Sequence, residues 1–186
     1  MRKQKKNRTG IIVSVFIVFI MVTSVIGFIF GGNQTPPVHY KGYKFTQTSR
    51  GWRTTINNQN FYLSYTPNDV ELLELPDFPK SLEIDVTYDP NSTYKESIAQ
   101  AIFELSTILS ANGVFIRQGF TTNNTYGIPI ITCADATPYI PVVLFLNSNK
   151  SEAIKEENCF IIHSFDENSF LPYADRIIYE TLEIME

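Results

Sequence analysis

Residues 82–117 read LEIDVTYDPNSTYKESIAQAIFELSTILSANGVFIR, and their patterning decides the fold. Leu82, Ile84 and Val86 alternate with polar residues and stop at Tyr88-Asp89-Pro90, the signature of a strand entering a turn. Thr93-x-x-Glu96 has the spacing of a capping box, in which two side chains satisfy otherwise orphaned N–H groups. Beyond it Ile98, Ile102, Leu105 and Leu109 fall on one helical face, with Ala101 and Ile108 flanking. Asn112-Gly113 supplies a left-handed stop, and Val114 to Arg117 reads as the next strand. Strand, helix, strand at this spacing predicts a βαβ crossover, hence two parallel strands.

Outward from this unit the signals divide. Tyr40 to Thr46, Trp52 to Ile56 and Asn60 to Tyr65 read as an antiparallel meander, with Asn57-Asn58 as a hairpin turn. Phe61, Leu63 and Tyr65 alternate with Tyr62 and Ser64, which predicts one buried face. Pro67 to Lys80 is a connector. Ile128 to Thr132, Val142 to Leu146 and Cys159 to Ile162 are short apolar runs, as expected of strands covered on both faces. Asn147 to Glu157 reads as an exposed connection. Leu171, Ala174, Ile178, Leu182 and Met185 predict a final helix from about Ser169. Asp175-Arg176 within it reads as a surface dipeptide, and Glu180 and Glu183 as part of a polar face. The fold class expected is α/β: an antiparallel meander and a mixed sheet packed by about two helices.

Ahead of all this stands Ile11 to Phe30, IIVSVFIVFIMVTSVIGFIF, without a charged residue. As a helix it spans about 30 Å, the thickness of a bilayer's hydrocarbon core. Arg2, Lys3, Lys5, Lys6 and Arg8 precede it, and no basic residue follows until Lys41. That asymmetry predicts a cytoplasmic N-terminus and a domain outside. The organisation expected is a basic head over residues 1–10, a transmembrane helix over 11–30, a linker over 31–39 and an extracytoplasmic domain over 40–186. A cleavable signal has a shorter apolar core and a small-x-small cleavage site, neither of which is seen. A pilin-like assembly subunit is a further alternative, since Gly10 precedes the apolar helix. Against it, the acid found near the start of such helices is missing.

Five of the chain's 15 basic residues lie in the head, so ten remain in the outer part against 19 acidic ones. A net charge of about −9 there speaks against nucleic acid as a partner. Asn33, Asn91, Asn123 and Asn149 open Asn-x-Ser/Thr sequons on the expected outer side, and each is a possible glycosylation site.

Several segments together, YKGYKF (40–45), GWRTTIN (51–57), ITCADAT (131–137), ENC (157–159) and ADRIIY (174–179), resemble a group of archaeal single-span membrane proteins. The resemblance covers most of the outer domain and implies a single span. It implies no activity, because none of these motifs is a catalytic signature.

There is no Gly-rich phosphate loop, HExxH, G-x-S-x-G or C-x-x-C in the chain. No cofactor is expected. Cys133 and Cys159, the two cysteines, predict a disulfide in an oxidising compartment. The alternative is a thiolate nucleophile at Cys133 with His163 as its base. Asp89 and Asp135 each follow a predicted strand, where open α/β sheets place ligands. With Thr137 they form a candidate ligand or cation site, or a pair of carboxylates for glycoside hydrolysis. The plainer alternative is that both aspartates bond to their own turns. The function expected is a membrane-tethered domain that binds or scaffolds another envelope protein or cell-surface component. The alternative is a tethered hydrolase using Asp89 and Asp135.

Overall fold

The computed structural model describes residues 8–30 and 35–185. The chain falls into two units, Met1–Thr35 and Pro36–Glu186. In the first, helix α1 runs from Arg8 to Phe30 over 23 residues with no acid in its first turn. Ser14 and Thr23 turn their hydroxyls back onto the carbonyls of Gly10 and Phe19, so neither leaves an unpaired donor. Among the described residues no helix is long and apolar enough to cross a membrane.

The second unit is α/β. Strands β1 (Val38–Tyr40), β2 (Tyr43–Thr48), β3 (Gly51–Ile56) and β4 (Gln59–Leu63) form an antiparallel meander in that order. Its first hairpin turns at Lys41-Gly42 and its third at Asn57-Asn58, all four residues at positive φ, as two-residue turns of this type require. The expected linker thus ends early, because Val38 and His39 pair with Phe45 and Lys44. A one-turn helix α2 (Pro67–Val70) follows, capped by Thr66 and Asp69.

The remaining strands are β5 (Glu83–Tyr88), β6 (Phe115–Phe120), β7 (Val142–Asn147), β8 (Glu152–Glu156) and β9 (Cys159–Ser164). They form one mixed sheet in the order β6-β5-β7-β9-β8. β5 and β6 are parallel, from Glu83↔Phe115 to Tyr88↔Phe120, as the crossover predicts. β7 and β9 extend the parallel set, and β8 closes one edge antiparallel to β9. β8, EAIKE, occupies the segment expected to be a loop. Its three charges hide the strand and also guard its free edge. Ile128 to Thr132 makes only a single bridge, Ile130 to Phe120, instead of a strand.

Helices α3 (Lys95–Ala111) and α4 (Phe170–Thr181) form a layer on one face of the mixed sheet, with the meander on their other side. One continuous core joins Ile84, Val86, Phe145 and Phe160 of the sheet, Leu105 and Ile177 of the helices, and Phe45 and Phe61 of the meander. A helix covered on two sides has little exposed face. Accordingly α4 is buried from Tyr173 through Tyr179 without a break, and Asp175-Arg176 is not the surface dipeptide its composition suggests. Arg176 instead pairs with Glu180 at 2.7 Å, both ends largely shielded.

The Thr93–Glu96 capping box does not form. α3 begins at Lys95, and Tyr94 holds the cap position without a side-chain bond. The Thr93 hydroxyl is drawn away to accept from Asn147 Nδ2, and Ser92 Oγ accepts the Tyr94 N–H instead. At the other end Asn112 and Gly113 stop the helix as expected, Gly113 at φ 87°.

Among the described residues no α-helix packs on the opposite face of the mixed sheet. Residues from about 130 to 136 lie across it, and Ile131 packs with Val142, Leu144, Cys159 and Ile161 in a second, smaller core. Thr87 donates its hydroxyl to the Ile131 carbonyl, fixing this strap over β5.

Candidate functional site

Asp89 follows β5, and one of its carboxylate oxygens accepts the Asn91 N–H at 2.9 Å, a local turn bond. Asp135 closes a 3-10 turn (Cys133–Asp135), where one oxygen accepts both the N–H and the hydroxyl of Thr132. Thr137 accepts the Ile140 N–H through its own hydroxyl. Each of the three therefore serves its own turn.

The two aspartates are not brought together. Cys133, two residues before Asp135, is bonded to Cys159. Cys159 is level with Val142, and Val142 with Asp85, near the starts of their strands. Asp89 stands four residues further along β5, about 13 Å at strand rise, past the opposite end of the sheet. Asp135 also follows no true strand, so the rule that places ligands past strand ends does not apply to it. Among the described residues no three His, Cys, Asp or Glu side chains gather to hold a metal ion.

The Cys133–Cys159 disulfide is present, with Cα atoms 5.2 Å apart. It staples the strap to the start of β9. Both sulfurs are consumed, which removes the thiolate that the Cys133–His163 alternative requires.

A different pair of carboxyl groups does converge. Glu104 of α3 accepts the Ser64 N–H and Ser64 hydroxyl at 2.8 and 2.9 Å. One residue on, the Tyr65 N–H donates to Asp175 Oδ2 of α4 at 2.7 Å, and Tyr179 donates its hydroxyl to the Tyr65 carbonyl at 2.6 Å. The chain leaving β4 is thus pinned to both helices. Asp175 is fully buried, and its Oδ1 has no bonding partner among the described residues. Burial first, and the nearby Glu104 carboxylate second, hold the Asp175 carboxyl well above the ordinary range. The fold thereby favours the protonated form of Asp175.

In front of Glu104 lies an open groove of about 470 Å³ between the β3–β4 hairpin and α3. Phe103, 70 % exposed, and Tyr62 are its large apolar elements, and Arg50 sits 5.8 Å from the Tyr62 ring. The hairpin tip is held to the end of α3 by Asn57 donating to Asn112. The wall is mostly apolar, with Arg50 and Glu104 as its charged residues and Asn60, Gln100 and Thr107 among its neutral polar ones. Such a surface suits contact with another molecule better than bond-breaking, since both Glu104 oxygens are already engaged.

The sequence does carry a signal for the Glu104–Asp175 pair. The residues three and four positions either side of Asp175 are Leu171, Pro172, Ile178 and Tyr179, an apolar setting for an acid.

The fold and site define a disulfide-bonded α/β domain with its helices sandwiched between two sheets. No family model, no curated protein and no solved structure matches the chain.

Proposed function

We propose that the protein is a single-span membrane protein whose domain, on the far side from a cytoplasmic N-terminus, binds or scaffolds another envelope protein or cell-surface component. The observation that carries this is the Cys133–Cys159 disulfide in a domain that follows the uncharged stretch Ile11 to Phe30. A structural disulfide belongs to an oxidising compartment, and the basic residues from Arg2 to Arg8 orient the stretch with its head inside. Support for binding over catalysis comes from the groove beside α3 and from Asp89 and Asp135, each engaged in its own turn. The acidic outer surface directs the partner away from nucleic acid.

Protease added to intact cells tests the reading. It is expected to remove the domain and leave a short membrane-held stub beginning at the N-terminus. Protection of Trp52 and all that follows, in cells whose surface proteins are digested, overturns it.

A further inference from the structure

Asn91-Ser92-Thr93, Asn123-Asn124-Thr125 and Asn149-Lys150-Ser151 are far apart in sequence, and the fold gathers them at one end. Asn91 lies three residues past the end of β5, Asn123 three past the end of β6 and Asn149 two past the end of β7. These three strands are adjacent and parallel, so all three loops leave the same end of the sheet. Direct bonds tie two of the loops together: Ser92 donates to Asn147 Oδ1, and Asn147 Nδ2 donates to Thr93. All three sequon asparagines are exposed. Among the described residues, Asn123 uses only its Oδ1, accepting the Asn124 N–H, and the side chains of Asn91 and Asn149 make no hydrogen bond. Among the described residues, then, no hydrogen bond occupies the Nδ2 of any of the three exposed asparagines.

We infer that this end of the sheet is a glycosylated face, carrying N-linked oligosaccharides at Asn91, Asn123 and Asn149. The reaction joins Nδ2 to the anomeric carbon of a lipid-linked oligosaccharide. The bond from that carbon to the lipid diphosphate breaks, the diphosphate leaves, and the amide gives up one proton. Three bulky hydrophilic chains on neighbouring loops cover the strand ends where open parallel sheets take their ligands. The exposed groove beside α3 lies on another part of the domain and stays free for contact. The inference rests on the extracytoplasmic reading, and its test separates the two.

The full chain is purified from the membranes of the cells that make it, and its intact mass is compared with that of Asn91→Gln, Asn123→Gln and Asn149→Gln. Thr93→Ala, Thr125→Ala and Ser151→Ala abolish the same sequons while keeping each asparagine. The expected result is one glycan mass lost per sequon, the same loss from either variant of a pair, and no excess mass in the triple variant. A domain that external protease digests but whose mass is that of the bare polypeptide overturns the glycan face and leaves the topology standing. A domain that protease cannot reach, and that carries no glycan, overturns both.

Discussion

At the scale of single residues, Asp175 is the group whose protonation the fold controls. Its carboxyl is buried, with the Glu104 carboxylate as its charged neighbour, and its own charge in turn raises the Tyr65 and Tyr179 hydroxyls. The adjacent Arg176 turns away to Glu180. Because the folded-state pKa of Asp175 is raised above its unfolded value, the native protein holds a proton that the unfolded chain releases. The stability tied to that proton is complete below the unfolded pKa and is lost as pH rises through the folded one. Asp175→Asn keeps an acceptor for the Tyr65 N–H, offers an N–H to Glu104 and cannot ionise. Its stability relative to the native protein is therefore expected to climb from about pH 4 upward. Urea midpoints of both proteins across that range check it, and two parallel profiles would refute the assignment. A surface Asp–Arg dipeptide would show no such effect. Helical period reveals the face of α4 turned to the mixed sheet, while its second buried face, under the meander, carries no periodic signal.

Elements show where local signals suffice and where they are overruled. The β5–α3–β6 crossover was legible because alternation, helical spacing and the Asn112-Gly113 stop agree with one another. β8 was not, since an edge strand with three charges looks like a loop until β9 pairs with it. The Thr93 box failed because a tertiary bond from Asn147 competed for the same hydroxyl. The strap reads as a strand from its apolar run Ile128 to Thr132, yet it makes a single bridge, and the Thr87 hydroxyl and the disulfide hold it in place. Gly119 of β6 makes room for it: a Cβ there would lie 2.5 Å from Ile131 Cγ1. Gly119→Ala is accordingly expected to cost about 1–3 kcal/mol by overpacking. Ile131→Ala in the same background should recover part of that loss, because it removes the atoms in collision. A double-mutant cycle measures the coupling; simple additivity would mean the strap does not depend on this contact.

For the whole molecule, the two faces of the mixed sheet are covered by unequal means. One face has two helices and the main core, formed by strongly patterned segments that the sequence announces. The other has the strap, a core of five buried residues and the disulfide. The candidate site follows the same division. Glu104 and Asp175 come together only because helices and meander stack, while Asp89 and Asp135, adjacent in motif logic, are separated by the length of the sheet. The strap's attachment is what the cysteines supply. Their separation of 26 residues closes a loop whose entropy is worth about 3–4 kcal/mol. Replacing both, Cys133→Ser with Cys159→Ser, avoids a stray thiol and should lower stability by that order. The loss is expected to be felt unevenly. The strap has few buried contacts of its own, so it should open locally before the rest of the domain unfolds. Limited proteolysis of the double variant should then cut first between Thr121 and Ile140, with the α3–α4 layer still intact. Simultaneous loss of the whole domain, with no early cut in that segment, would show that the strap and the helical core unfold as one cooperative unit.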